Sequence, residues 1–258
     1  MSQYVFDHAY ELERERLTVQ EQWLDPGAAR VLDRIGVAPG WRCLEVAAGA
    51  GSIARELSAR VGPSGSVLAT DLDLKFLQDL DLPNVEVRAH DIINDEIPSD
   101  SFDLVHTRLL LMHLPSRDQA LKHMIAAAKP GGIVFVEDFD MLTFVNSNAP
   151  ALDRVRDALY KLFEVAGATP FYGRTLPFVL AAAGLDDVWA EGRVAWGYRW
   201  ENPGLKSFKL MMMEMRGFFT NTGLVTDADI DEAIATLDDP AWEGMPPMMV
   251  SAYGRKPG

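Results

Sequence analysis

Short apolar runs of strand length alternate with amphipathic stretches of helix length in the first half of the chain. The runs at 43–46 and 66–70 are continuous, which is typical of strands buried on both faces. Between them, 52–60 repeats its apolar residues at helical spacing. Further strands are predicted at 85–89, 102–107 and 133–136, and a short helix at 75–80. This order predicts an α/β fold with a parallel sheet.

The second half of the chain is richer in predicted helices than a single sheet needs. Helices are expected at 151–165, 175–183, 203–219 and 226–237, and strands at 188–198 and 248–253. At the other end of the chain, 4–35 is predicted as two helices separated at Asp25-Pro26, because proline is well placed at a helix start.

A glycine turn at 47–51 joins the first strand to the helix that follows it. Gly49 and Gly51 have no Cβ, so the backbone can turn sharply and approach a ligand closely. The first turn of the helix offers free N–H groups to that ligand. Asp71 follows the second strand, where a carboxylate accepts hydrogen bonds from ribose hydroxyls. The turn and Asp71 together predict a site for a nucleoside-bearing ligand.

Two kinds of nucleoside ligand fit this arrangement. Gly49-x-Gly51-x-x-Ala54, with Asp71 about 20 residues further on, matches the pattern of dinucleotide-binding proteins. Glu45, however, lies at the end of the first strand, where the pyrophosphate of NAD would bring negative charge. A carboxylate at that position suits a ligand that carries an ammonium group.

Glu45-x-Ala47-x-Gly49-x-Gly51 resembles the E/D-x-G-x-G-x-G first motif of the class I S-adenosylmethionine-dependent methyltransferases. Later segments that match the family are Asp71, 90–92, 102–105 and 129–132. The resemblance runs from about Leu32 to the C-terminus, and Ala47 stands where the family has its first glycine. It implies a Rossmann-like fold, with a seven-stranded, mostly parallel sheet and helices on both faces. The last strand is expected to be antiparallel and to lie between strands five and six.

The resemblance implies S-adenosylmethionine as the cofactor and assigns its contacts residue by residue. Asp71 is expected at the ribose, Asp91 at the adenine amino group and Ile92 on the adenine ring. The alternative for Asp91 is a helix-capping aspartate. The full set of expected cofactor contacts is Glu45, Ala47, Gly49, Gly51, Asp71, Leu72, Asp91, Ile92 and Arg108.

The family's architecture also implies roles for the segments around the sheet. A single methyltransferase domain is expected over 1–258, with 1–30 as an N-terminal helical lid and 146–173 and 200–240 as helical cap insertions. Candidates for the inner face of the lid are Tyr4, His8 and Trp23. The alternative places Trp23 in the core and His8 in solvent.

Methyl transfer from a sulfonium is an in-line displacement, so the protein mainly positions the acceptor and excludes water. A general base is needed only when the acceptor carries a proton of high pKa. His113, after strand four on the acceptor side, is the expected base, and a hydrogen-bonded structural histidine is the alternative. No metal is expected, because the chain has no cysteine pair and no His-x-x-x-His, and Asp138 with Asp140 is a weak basis for a Mg²⁺ site.

The helix predicted at 203–219 is rich in Met and Phe and is the expected roof of an acceptor pocket. Met211, Met215 and Phe218 share a face at helical spacing, and methionine adapts to irregular apolar ligands. Expected neighbours in the pocket are Tyr172, Phe171 and Trp196. A roof with few hydrogen-bonding groups favours a bulky, largely apolar acceptor. The alternative is that this helix packs on the sheet edge or in the interface of a homodimer.

Charge and composition narrow the classes of partner. The 258 residues carry a net charge of −14, which disfavours nucleic acid and anionic membranes as partners. No apolar run approaches the roughly 20 residues that span a membrane, and 1–16 lacks the pattern of a signal peptide. The single cysteine, Cys43, lies in a predicted core strand, which is consistent with a reducing, cytoplasmic setting.

The sequence therefore predicts methyl transfer from S-adenosylmethionine to a small organic acceptor, by O- or C-methylation. Loose similarity to bacterial tailoring enzymes suggests secondary metabolism as the setting. One alternative is a methyltransferase-like fold that uses the cofactor pocket for a non-methylating reaction, such as a cyclisation, or for binding alone. The other alternative is an NAD-dependent oxidoreductase.

Overall fold

The computed structural model describes residues 11–144, 149–194, 197–198 and 202–258 of the chain. Tyr4, His8 and Trp196 lie outside the described residues. The first ten residues of the expected lid, and 146–148 and 200–201 of the expected cap, lie outside them as well.

Strands and helices alternate through the first half of the described chain, and helices dominate the second half. The strands are β1 Arg42–Val46, β2 Ser66–Asp71, β3 Val85–Ala89, β4 Phe102–Arg108, β5 Ala128–Asp140, β6 Asp186–Arg193, β7 Gly197–Tyr198, β8 Glu243–Gly244 and β9 Met248–Arg255. The α-helices are α1 Glu11–Ile35, α2 Ser52–Val61, α3 Arg117–Ala127, α4 Pro150–Ala166, α5 Leu176–Ala182, α6 Pro203–Glu214, α7 Arg216–Asn221 and α8 Asp227–Asp238.

Seven strands form one sheet in the order β3-β2-β1-β4-β5-β9-β6. Strand β9 is antiparallel to both of its neighbours, whereas the other pairings in this sheet are parallel. This confirms the predicted Rossmann-like sheet, including the last strand between β5 and β6. The strand order reverses between β1 and β4, and parallel sheets leave a crevice for a ligand at the carboxyl ends of the strands there.

Apolar side chains cover both faces of the sheet. One cluster joins α1 and α2 to the sheet through residues such as Val31, Leu57 and Phe135. The other cluster joins α3, α4 and the helices of the second half, and it includes Leu121 and Leu159. The sheet is thus buried between two helical layers, which explains the continuous apolar runs of its central strands.

Helix α1 runs unbroken from Glu11 to Ile35, so the predicted interruption at Asp25-Pro26 is wrong. Proline lacks a backbone donor and is normally costly inside a helix. In this helix the flanking turns are held by tertiary packing, because Leu24 and Ala28 are buried and α1 lies against α6. The local sequence shows the proline that disfavours a helix, but it does not show α6, whose packing against α1 stabilises the helix through Pro26.

The short helix predicted at 75–80 is wrong, since the backbone there makes turns. Six residues close too few helical hydrogen bonds to be stable without support. Leu77 and Leu80 nevertheless enter the core cluster next to α2. The spacing of Leu77 and Leu80 therefore marks two buried positions in a turn, and it does not indicate a helix.

The helix predicted at 203–219 is two helices, α6 and α7, which meet at Met215 with φ −99° and ψ 14°. Because of this break, helical spacing does not continue across Met215. Phe219 is fully buried, whereas the adjacent Phe218 is 44% exposed. Strand β6 also ends earlier than predicted, at Arg193 instead of Tyr198.

Candidate functional site

A cavity of about 1180 Å³ lies at the carboxyl edge of the sheet, next to the glycine turn. One end is formed by the residues that follow β1, β2, β3 and β4, and the other end by α4, α6 and α7. Helix α1 contributes a side wall that includes Arg16 and Trp23. Pockets for one small ligand usually measure roughly 300–1,000 Å³. This cavity therefore has room for a nucleoside cofactor and a second molecule.

The glycine turn forms one wall of the cavity in a defined backbone conformation. Ala47 and Gly49 adopt left-handed φ values of 58° and 57°. The Gly49 N–H donates to Asp71 Oδ2 at 2.9 Å, which ties the turn to the end of β2. A Cβ added at Gly49 would meet only Leu17 Cδ2, at 4.0 Å. The cavity is thus open next to the Gly49 backbone, and Ala47, Gly49 and Asp71 all line it.

Gly51 has a different place from the one expected of it. It has φ 82° at the start of α2, and it does not line the cavity. A Cβ at this position would lie 3.0 Å from Leu77 and 3.1 Å from Leu80. The Cβ direction of Gly51 therefore faces the core residues Leu77 and Leu80, on the side of the turn away from the cavity. A direct contact of Gly51 with the cofactor is not supported.

The nucleoside end of the cavity contains the other residues expected there, since Leu72, Asp91 and Ile92 line it. Asp91 accepts hydrogen bonds from the Ile93 N–H at 2.8 Å and from Asn94 Nδ2 at 2.7 Å. Burial raises the pKa of Asp91, but these hydrogen bonds outweigh burial and the net shift is downward. Asp91 thus holds a turn, not the start of a helix, and it lines the cavity, so its expected contact with the adenine amino group stays a prediction.

His90 lies beside Asp91 in the segment 90–92 that matches the family, but no role was predicted for it. Its side chain is buried and lines the cavity, and neither ring nitrogen has a hydrogen-bond partner within the described chain. Buried polar atoms normally have a partner, and each exception needs an explanation. A nucleoside in the cavity would explain this one.

Glu45 belongs to a buried row of charged side chains that crosses three neighbouring strands. His106 Nδ1 lies 2.6 Å from Glu45 Oε2, and His106 Nε2 lies 3.5 Å from Glu137 Oε2. Glu137 also accepts hydrogen bonds from Arg193, at 3.0 Å, and from Ser251. Burial alone lowers the pKa of His106, but the two carboxylates outweigh burial and raise it to about 9. His106 is therefore an imidazolium at neutral pH that holds Glu45 at the cavity wall.

Arg108, at the end of β4, connects the sheet edge to α1. Its Nη1 donates to Asp25 Oδ1 at 2.9 Å, and its Nη2 donates to Ser52 Oγ at 3.3 Å. Burial, and then the charge of Asp25, raise the pKa of Glu21 on the same wall. Arg108 lines the cavity, so its expected contact with the cofactor stays a prediction that the geometry permits.

The far end of the cavity is an apolar chamber. Its lining comes from both segments that were expected to form the cap, and includes Leu159, Leu162, Phe163, Phe208, Met211 and Phe218. Trp23 also lines the cavity and stacks on Phe139, with ring centroids 5.2 Å apart. We refer to this end, formed by α4, α6 and α7 with the facing part of α1, as the acceptor chamber.

His113 lines the acceptor chamber, but its surroundings weigh against the role of general base. Its ring meets the ring of Phe163 edge-on, with centroids 5.6 Å apart. Burial, and then the charges of Arg16 and Arg117, lower the pKa of His113 to about 3. An imidazole with this pKa is neutral at pH 7, and it is a weak base for removing a proton from the molecule to be methylated.

Of the five described residues expected at the acceptor, two line the cavity, and Phe171, Met215 and Tyr172 do not. Met211 and Phe218 line it. Met215 is buried at the junction of α6 and α7, because the helix breaks there. Tyr172 is buried beside Arg117, whose guanidinium lies 5.2 Å from its ring centroid. Burial, and then Asp138, raise the pKa of Tyr172 to about 12.

Three buried charged residues at the acceptor chamber were missed by the sequence analysis. Glu13 and Arg16 lie in α1, and Glu214 ends α6. Arg16 Nε lies 2.8 Å from Glu214 Oε2. In the sequence, the pair at i and i+3 looks like the charged surface of a helix. Only the packing of α1 on α6 reveals that these residues are buried.

The described part of the chain has no group of three or more His, Cys, Asp or Glu side chains placed to hold a metal ion. None of the helices in that part is both long enough and apolar enough to span a membrane.

Comparison with known proteins gives consistent results. A profile of a methyltransferase domain matches residues 44–134. Methyltransferase str2 of Strobilurus tenacellus is 30% identical over 184 residues, which are 70% of this chain and 66% of that protein. The ubiquinone/menaquinone biosynthesis C-methyltransferase UbiE of Laribacter hongkongensis is 35% identical over 117 residues, 42% of this chain and 47% of that protein. The matched parts thus span about half to just under two thirds of these relatives.

A solved structure with a similar fold is phosphoethanolamine N-methyltransferase 2 of Haemonchus contortus, in complex with phosphomonomethylethanolamine and S-adenosylhomocysteine. The TM-score is 0.55 at 15% identity, and the match covers 95% of this chain and 53% of that one. At this identity, the likeness concerns the fold alone.

Proposed function

Because this chain belongs to the class I S-adenosylmethionine-dependent methyltransferases, we propose that it methylates a small, bulky and largely apolar organic acceptor. The observation that carries the proposal is the continuity of the cavity. Its polar end follows four parallel strands, and its other end is the apolar acceptor chamber. A cofactor and an acceptor can therefore meet in one continuous cavity.

The residues at the polar end fit S-adenosylmethionine. We expect Asp71 at the ribose hydroxyls, Ile92 on the adenine ring and Asp91 at the adenine edge, and all three line the cavity. The open space beside Gly49 and the ring nitrogens of His90 support the presence of a ligand here. Glu45 offers a carboxylate held by His106. When bound, the cofactor supplies a methyl group that is already activated as a sulfonium.

The chain's own contribution is positioning and exclusion of water. Phe163, Phe208 and Met211 give the acceptor an apolar surface, and residues of α1 complete the wall. Holding two reactants in an aligned geometry removes most of the entropic barrier of a bimolecular step. We propose O- or C-methylation of a secondary metabolite, and the C-methyltransferase name of one relative supports the second of these. The cytoplasmic setting and the homodimer stay predictions.

The test is an assay with methyl-labelled S-adenosylmethionine and a library of aromatic and polyketide-like acceptors. Label in the organic product, together with release of S-adenosylhomocysteine, is the expected result. Cofactor binding in a calorimeter without label transfer to any acceptor would favour the non-methylating alternative. Absence of cofactor binding would overturn the proposal as a whole.

A further inference from the structure

The wall of the largely apolar acceptor chamber contains a cluster of buried charged side chains. Arg16 reaches Glu214 with Nε at 2.8 Å, Gln20 with Nη1 at 3.2 Å and Glu13 with Nη2 at 3.5 Å. The side chains of Glu13, Arg16 and Glu214 are exposed by 1%, 3% and 1%. Glu13 and Arg16 both line the cavity, so the cluster faces whatever occupies the chamber.

Joining α1 to α6 does not require buried charges. Removing charges from water is costly, and well-packed apolar side chains often replace a buried ion pair without loss of stability. The same two helices are also joined on their exposed side by Glu15 and Lys206, with Oε1 and Nζ 3.2 Å apart. Buried charges at a cavity wall are typical of sites that handle a ligand.

We propose that the acceptor of the methyl transfer proposed above is a phenol or an enol, whose hydroxyl binds between the Glu13 carboxylate and the Arg16 guanidinium. A hydroxyl donates one hydrogen bond and accepts others, so it satisfies a carboxylate and a guanidinium together. An acceptor carboxylate would add negative charge to a cluster that already has two carboxylates and one guanidinium. A pure hydrocarbon would desolvate the cluster without giving it a hydrogen bond. The inference rests on the proposed function.

The cluster also has the chemistry to activate such a hydroxyl. The O–H proton passes to the Glu13 carboxylate, and Arg16 stabilises the negative charge that develops on the oxygen. The oxygen, or the carbon conjugated with it, gains the methyl group as the C–S bond electrons remain on the cofactor's sulfur. After C-methylation of a phenol, the ring carbon loses its proton and the oxygen regains one. Glu13 then releases its proton to solvent and the cycle is complete.

This assignment moves the base from His113 to Glu13. Both residues line the chamber. His113 is held neutral by burial and by two arginines, one of which is Arg16. Arg16 opposes protonation of His113, but it stabilises the anionic oxygen of an ionised acceptor hydroxyl. The same charge therefore keeps His113 neutral and favours the ionised form of the acceptor hydroxyl.

The experiment measures binding of 1-naphthol and of naphthalene to the full chain saturated with S-adenosylhomocysteine. The two probes share their apolar body and differ in one hydroxyl. We expect 1-naphthol to bind at least tenfold more tightly. In Glu13→Gln and Arg16→Met this preference should fall to less than threefold, whereas Glu15→Gln should keep it. Glu15 is a matched control because it lies in α1, pairs with α6 and is 52% exposed.

Each outcome has one meaning. Equal affinity of the wild-type protein for the two probes, no binding of 1-naphthol, or an unchanged preference in Glu13→Gln overturns the hydroxyl site. If Arg16→Met fails to fold, Arg16→Lys replaces it, since it keeps the charge but loses the fork geometry, and it should lose at least threefold of the preference. Saturation with S-adenosylhomocysteine is checked first by calorimetry. Failure of that binding would overturn the proposed function, whereas failure of naphthol discrimination alone would not.

Discussion

At the scale of single residues, two of the four non-glycine residues with positive φ in the described chain lie at the cavity wall. Ala47 and Leu109 have φ values of 58° and 55°, although neither is glycine, and both line the cavity. A left-handed conformation costs a residue with a Cβ roughly 1–2 kcal/mol. Strain of this kind is tolerated where the surrounding structure fixes a functional loop. The alanine that replaces the family's first glycine therefore keeps the shape of the turn at a cost in stability.

Replacing Ala47 by glycine should raise the free energy of unfolding by about 1 kcal/mol, because the Cβ penalty is removed. Ala48, the next residue, is not among those with positive φ. Ala48→Gly should instead lower the free energy of unfolding by about 0.5–1 kcal/mol, since it only adds freedom to the unfolded chain. Urea denaturation of both variants measures the difference. A similar loss in both would contradict the strain assigned to Ala47.

Asp71 has two tasks, because it accepts a hydrogen bond from Gly49 and faces the cavity. Asp71→Ala should weaken S-adenosylhomocysteine binding by about 1.5–3 kcal/mol through loss of a charge-assisted ribose contact. Asp81→Ala, an exposed carboxylate in the loop that follows, is the control. Calorimetric titration compares the two variants. Unchanged affinity in Asp71→Ala would remove Asp71 from the cofactor site.

At the scale of elements, helix α6 carries two methionines in different environments. Met211 is buried and lines the acceptor chamber, whereas Met213 is 40% exposed. Met211→Ala should raise the acceptor KM about tenfold by loss of apolar contact, and Met213→Ala should leave it unchanged. Neither change should alter cofactor affinity. Steady-state kinetics with the acceptor found in the labelling assay tests this, and equal effects of the two changes would place the acceptor elsewhere.

The buried row formed by Glu45, His106 and Glu137, on β1, β4 and β5, predicts a pH dependence of stability. Burial alone lowers the pKa of His106, but Glu45 and Glu137 raise it in the folded protein from 6.5 to about 9. Because the folded pKa is the higher one, this stabilisation is complete below about pH 6.5 and is lost as the pH rises through about 9. Its size is on the order of 3 kcal/mol.

Glu45→Gln should make this alkaline loss smaller and shift it to lower pH, because His106 then keeps Glu137 as its remaining carboxylate partner. Glu86→Gln, at an exposed position of β3, is the control. Urea denaturation at about pH 6 and about pH 9.5 measures the loss for the wild type and both variants. Identical pH profiles for wild type and Glu45→Gln would show that the row does not hold His106 charged.

At the scale of the whole molecule, ligand binding should stabilise the fold by mass action. S-adenosylhomocysteine at 100 times its Kd should add about 2.7 kcal/mol to the free energy of unfolding. For a chain of 258 residues this corresponds to a rise in Tm of roughly 5–10 °C. NAD at the same concentration should leave Tm unchanged. A comparable rise with NAD would contradict the assignment of the cofactor.

The sequence by itself determined the sheet and the cofactor edge. Buried strands are encoded as continuous apolar runs, and the residues after them converge because parallel strands end at the same edge. That is why Asp71, Asp91 and Ile92 were found from spacing and resemblance, and why all three line the cavity. The final antiparallel strand followed from the family resemblance in the same way.

Only the tertiary structure decided which residues form the acceptor chamber. Contacts between elements far apart in the chain kept α1 continuous through Pro26, ended α6 before Met215 and buried Tyr172 away from the cavity. They also buried Arg16 against Glu214, 198 residues further along the chain. Local periodicity records which side of an element is apolar, but it does not record what covers that side. The cofactor edge depends on where strands end, which the sequence predicts. The acceptor chamber depends on how distant helices pack, which the sequence pattern does not show.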